Sequence, residues 1–130
     1  MPVDPAYLVG TGGAVGAVLR HIVGEYVEKQ VGGEGKAGFP FGTLTVNVVG
    51  SLVLGFVTFW GADVGTGSVT LLVGTGACGS FTTFSSFSFE TFRLYETGAT
   101  TRSAVNAFGN LALCLTAVAV GYLTALFLGV

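Results

Sequence analysis

Gly74-Thr-Gly-Ala-Cys-Gly-Ser-Phe-Thr-Thr-Phe-Ser-Ser-Phe87 stands in the middle of a segment otherwise apolar enough to cross a bilayer. Glycine and threonine loosen a helix there. Hydroxyls offer hydrogen bonds where lipid offers none, and each phenylalanine carries a weakly positive ring edge. A helix that merely spans a membrane has no need of this combination. The stretch reads as a place where something polar passes or binds.

The surrounding chain fits that setting. It has 130 residues, 51% hydrophobic and 9% charged, with a mean hydropathy of +0.77. A soluble domain carries about 25% charged residues, and so small a globule cannot bury this much apolar surface, so lipid must solvate much of it. The composition indicates an all-α integral membrane protein. The 22 glycines are mostly explained as small residues that let membrane helices approach closely. Net charge is −2 with no basic run, so nothing suggests nucleic acid. Cys78 and Cys114 fall inside apolar runs without metal-ligand spacing and read as packing residues. The first apolar run lacks a basic n-region and a cleavage site, and is expected to stay in the mature protein.

Hydropathy marks four spans in one domain, at about Pro5–Val23, Phe41–Gly61, Ser68–Phe92 and Ser103–Gly129. Gly24 to Gly38, with Glu25, Glu28, Lys29, Glu34 and Lys36, is expected as a solvated loop, and Gly61–Gly67 as a short turn. Four short helices enclose little, so the chain is expected to oligomerise, most simply as a dimer. Lys29, Lys36, Arg93 and Arg102 all lie in or beside the first and third connectors. The positive-inside tendency then places both termini outside.

Catalysis is poorly supported. There is no Ser/His/Asp set, the single histidine is His21, and beside Arg20 it reads as an interfacial anchor. Glu90 could relay protons, but near the end of its span it is expected as an exposed helix-end carboxylate. Asn47 lies well inside the second span. A buried amide needs a partner, and its NH₂ can donate to an anion or bond across helices; the residue alone supports both. Asn106 and Asn110, four apart, share a helical face and make a polar seam or a pore lining. Thr116 lies further along the same helix, not clearly on that face. Phe84 and Phe87 also share a face. An arbitrary phenylalanine pair would be packing, but these two stand among Thr82, Thr83, Ser85, Ser86 and Ser88, which can back-bond to carbonyls and bend a helix. A break near Gly79–Thr83 would expose carbonyls able to coordinate a cation if protein surrounds them.

Four signatures, in order, resemble the Fluc (CrcB) family of fluoride channels. They are Gly12-Gly-Ala-Val-Gly-Ala-Val-Leu-Arg20, Gly42-Thr-Leu-Thr-Val-Asn47-Val-Val-Gly50, Gly79-Ser-Phe-Thr-Thr-Phe-Ser-Ser-Phe87, and the polar fourth span. The resemblance covers nearly the whole chain, and the third motif is specific. It implies four-helix subunits with a broken third helix, forming an antiparallel, dual-topology dimer with two fluoride pores in the cell membrane. It implies a structural sodium ion held by main-chain carbonyls, here those of Gly79 and Thr82. Phe84 and Phe87 match the aromatic box, Asn47 the pore asparagine and Arg20 the vestibule arginine, while Ser85, Ser86, Asn110 and Thr116 fall at or near the polar track. Ser80 stands where a second glycine is common; Asn106 and Asn110 stand where many members have tyrosine and serine.

The implied activity is passive fluoride export, and the physics suits it. A small, tightly hydrated anion needs amide, hydroxyl and polarised C–H donors in place of water, at weak and multiple sites. Because the charge bias favours one orientation, the chain is expected either to form a homodimer against that bias or to pair with an oppositely oriented paralogue. Two rivals remain. A small dual-topology, proton-coupled multidrug transporter would need a carboxylate embedded in the first span, which has only Asp4 at its edge. A non-transporting assembly subunit would need no polar track.

Overall fold

In a computed structural model, residues 3–32, 38–63 and 67–129 are described, without the side chains of 61–63. Among them the chain is helical and holds no strand. The helices are α1 (Pro5–Val31), α2 (Phe41–Asp63), α3 (Gly67–Val69), a π-helical stretch (Thr70–Cys78), α4 (Gly79–Phe81), α5 (Phe84–Glu96) and α6 (Thr100–Leu128). Three are long and apolar enough to cross a membrane: α1, Phe41–Trp60 of α2, and α6.

Asp4 starts α1 by accepting the Ala6 N–H at 2.8 Å, with Pro5 in the first turn. The helix then runs to Val31, so the loop expected from Gly24 begins eight residues late. The charged residues that resembled a loop support helix instead. Lys29 bonds Glu25 at 2.9 Å one turn away, on an exposed face. Glu28 reaches across to accept the Gly42 N–H at 2.9 Å, supplying the cap that Phe41 and Pro40 cannot give α2. Glu34, Lys36 and residues 64–66 of the expected Gly61–Gly67 turn lie outside the described residues; the first three positions of that turn are instead helical, since α2 continues to Asp63.

Backbone contact between helices depends on glycine. A Cβ on Gly12 would overlap the Leu72 carbonyl oxygen, and one on Gly16 that of Ala77, so α1 packs directly on the π-helical stretch. Between α2 and α6, Gly55 meets the Val118 carbonyl and Gly121 that of Leu52 in the same way. This is small-residue packing, as expected where apolar burial gives helices no drive to associate. The outward faces confirm the setting: Val15, Val18, Phe108, Leu111, Leu123 and Phe127 are all exposed.

The expected third span, 68–92, falls within a helical stretch from Gly67 to Glu96 that is not one regular helix. The π-helical turns are followed by α4, and then the backbone extends at Thr82 (φ −81°, ψ 159°) and Thr83 (φ −149°, ψ 117°) before α5 begins. Thr83 caps α5, its Oγ1 accepting the Ser86 N–H at 3.2 Å. A tight turn through Gly98 (φ +81°) then leads into α6, which starts three residues before the expected Ser103.

Candidate functional site

The extended pair Thr82–Thr83 is fastened to α2 by one side chain. Asn47 Oδ1 accepts the Thr83 N–H at 2.7 Å, and Asn47 Nδ2 donates to the Thr83 carbonyl at 3.1 Å. The amide thus takes up both backbone groups of a residue outside helical geometry, groups that would otherwise be costly to bury. Asn47 Nδ2 also donates to Asn110 Oδ1 of α6 at 3.4 Å, and Cys114 Sγ lies 3.5 Å from the same oxygen. Gly50 leaves room beneath, where a Cβ would overlap Thr82 Cγ2.

Two cavities border this point and share one lining residue. One, of about 280 Å³, is lined by Asn47, Thr83, Phe84, Phe87, Asn110 and Cys114, among others. The other, of about 290 Å³, is lined by Arg20, His21, Glu25, Thr43, Thr83 and Ser86, among others. Thr83 belongs to both. Its hydroxyl donates to Ser86 Oγ and lies within 3.2 Å of Ser85 Oγ, so a run of hydroxyls bridges the two spaces. The rings of Phe84 and Phe87 stand 5.6 Å apart, tilted by 51°. Phe84 is 79% exposed, leaving the first cavity with an aromatic outer wall facing away from its own chain.

The expected residues therefore divide. Asn47, Phe84, Phe87 and Asn110 share the first cavity, Arg20 and Ser86 line the second, and Ser85 is tied to them through Thr83. Thr116 stands apart: it is exposed, its hydroxyl bonded to the Ala112 carbonyl at 2.8 Å. Asn106 is fully buried, as the polar seam required, but donates to Thr91 Oγ1 at 2.8 Å and is not among the cavity's lining residues. Glu90 is not the exposed carboxylate expected. It is half-buried and accepts from Thr43 Oγ1 at 2.9 Å, because α2 packs over that part of α5. Sequence reasoning passed over Cys114 and Ser51, both in the first cavity. The signal was available for Cys114, one turn beyond Asn110 on the same face.

The backbone at the break suits a cation held by carbonyls. Thr83 N–H, which in a continuing helix would close on the Gly79 carbonyl, goes to Asn47; Ser86 N–H, which would close on Thr82, goes to Thr83 Oγ1. Both carbonyls are thereby released from their helical donors, and space beside Gly79 is open. Hard oxygen donors of this kind suit a hard cation.

An apolar exterior with a buried polar seam at interrupted helix geometry defines a small helical membrane protein. The description "CrcB-like protein, Camphor Resistance (CrcB)" matches residues 7–122, and the chain belongs to that family. It is 50% identical to "Fluoride-specific ion channel FluC 2" of Haloarcula marismortui over 119 residues, 92% of each chain. It is 44% identical to "Fluoride-specific ion channel FluC 1" of Methanosarcina barkeri over 117 residues, covering 90% of this chain and 93% of the relative. Identity to "Fluoride-specific ion channel FluC" of Clostridium novyi is 40% over 118 residues, 89% of each.

Proposed function

We propose that the chain is a subunit of a fluoride-selective channel that lets fluoride leave the cell passively, down its electrochemical gradient. The observation that carries this reading is the pair of cavities joined at Thr83, one holding Arg20 and the other the buried amides and both phenylalanines. The names of the relatives supply the ion.

Arg20 attracts the anion into the second cavity and raises its local concentration. The Ser86 hydroxyl, which accepts from Thr83 and keeps its own proton, replaces part of its water, and the Asn110 amide and the rings of Phe84 and Phe87 replace more. Each contact is a neutral or weakly polarised donor, so binding stays weak enough to release the ion. Ser85 supports the hydroxyl run. The resemblance also gives Thr116 a place on the polar track, though it stands outside the cavity.

The reading extends to assembly. The single domain, with its interrupted third span at 67–96, forms an antiparallel, dual-topology dimer in the cell membrane with two pores. The exposed Phe84 wall and the open space at Gly79 are where a second subunit would complete the path. The carbonyls of Gly79 and Thr82 would hold a structural sodium ion, which supplies fixed positive charge at the dimer centre and is not transported. No catalytic step is involved. A proton-coupled multidrug transporter is disfavoured, because Asp4 is exposed and spends its carboxylate capping its own helix.

Ion efflux from proteoliposomes tests the proposal. Fluoride efflux without comparable chloride efflux is expected; no fluoride flux, or equal chloride flux, refutes it.

A further inference from the structure

The polarity of the buried amides follows from one backbone group. The Thr83 N–H can only donate, so the Asn47 atom 2.7 Å from it must be the oxygen. Asn47 Nδ2 therefore faces the Thr83 carbonyl and Asn110, at 3.1 and 3.4 Å. Since that nitrogen can only donate, Asn110 must turn its own oxygen towards it, and Cys114 Sγ approaches the same oxygen. Amide orientation is ordinarily a choice settled by the hydrogen-bond network; here the network has one consistent solution. Turning Asn47 over would set N–H against N–H and C=O against C=O at Thr83. Turning Asn110 over would oppose two NH₂ groups.

The consequence is a division of labour. Both Asn47 Nδ2 protons have acceptors, and its oxygen is engaged as well, so it has no donor left for an ion. Asn110 Nδ2 is buried without a partner among the described residues, in a residue only 5% exposed, and Asn110 lines the cavity with the two phenylalanines. Resting on the fluoride-conduction reading above, we infer that the amide donor offered to the anion is Asn110 Nδ2, and that Asn47 is a positioning residue that carries the polarity of the Thr83 N–H across to Asn110. Cys114 assists by holding the Asn110 oxygen away from the path.

The chain has three asparagines, Asn47, Asn106 and Asn110, so side-chain amide NMR of the ¹⁵N-asparagine-labelled, lipid-reconstituted protein can watch each one. Adding fluoride, with chloride as control, is expected to shift the Asn110 NH₂ protons and to leave those of Asn47 nearly in place. The reverse pattern overturns the inference. A flux measurement gives a second reading. Asn47→Ala unpins the Thr83 backbone in either background, but it should lower fluoride flux several-fold more in the otherwise unchanged chain than beside Asn110→Ser, because a hydroxyl turns its own proton into the cavity without being held. Equal losses in both backgrounds, with normal flux in the unmodified chain, sink the relay and leave the channel reading intact. Absence of flux in the unmodified chain strikes the channel reading instead.

Discussion

The residue that bears most on conduction is reached by elimination among donors. Polar groups around the break bond mainly to one another; the buried donor without a partner among the described residues of the first cavity is Asn110 Nδ2, and the rings of Phe84 and Phe87 line the same space. An aromatic edge contributes roughly 1 kcal/mol beyond packing, and about 1.4 kcal/mol is tenfold. Phe84→Ile should therefore cut fluoride efflux about fivefold to tenfold in proteoliposomes while preserving the apolar wall; unchanged efflux removes the ring edge from the mechanism. Asn47→Asp should cost more, at least about tenfold. The carboxylate can still accept the Thr83 N–H, but it has no proton for Asn110 and adds a negative charge beside the anion's path. Legibility at this scale depended on chemistry type. Asn47 and Asn110 were visible in the sequence because an amide deep in an apolar run must be accounted for. Cys114 carried a signal in its position, one turn beyond Asn110, but none in its chemistry, because a thiol among apolar residues looks the same whether it packs or touches an amide.

Among the elements, α1 and the π-helical stretch are the least tolerant pair. Their backbones touch at Gly12 and Gly16, where any side chain would run into a carbonyl rather than a movable rotamer. Gly16→Val is expected to destabilise by about 3 kcal/mol or more, read as a large fall in thermal midpoint in detergent, whereas Gly10→Ala, at a position with open space, should be neutral to slightly stabilising. Equal midpoints for the two variants would show that the helices do not approach this closely. Helix positions were readable from hydropathy, but two features were not. The extension of α1 to Val31 depends on which charges pair across a turn and which cap a neighbouring helix, and composition alone counts them as loop. The wide turns from Thr70 to Cys78 are π-helical, with i→i+5 bonding inside the stretch, and this leaves no periodic mark in the sequence.

For the whole molecule, the proposal assigns the exposed wall at Phe84 to a second subunit, identical or paralogous. Described basic residues on the side of the first and third connectors include Lys29, Arg93 and Arg102, and the N-terminal and second-connector regions have none to balance them. If that bias fixes one orientation, the chain expressed alone should give little fluoride flux, and co-expression with an oppositely oriented paralogue should restore it. Strong conduction from the single product would instead establish the homodimer. Thr83's membership in both cavities has an electrical meaning as well. On the proposed path, cavities of this volume could hold several waters, at about 30 Å³ each, and would then act as two low resistances in series around one high one. The membrane voltage along that proposed path would then fall mostly near Thr83. Because a full charge crossing 100 mV changes energy by about 2.3 kcal/mol, a blocker held beside Arg20 should be nearly insensitive to voltage, while one held beside Asn110 should feel most of it.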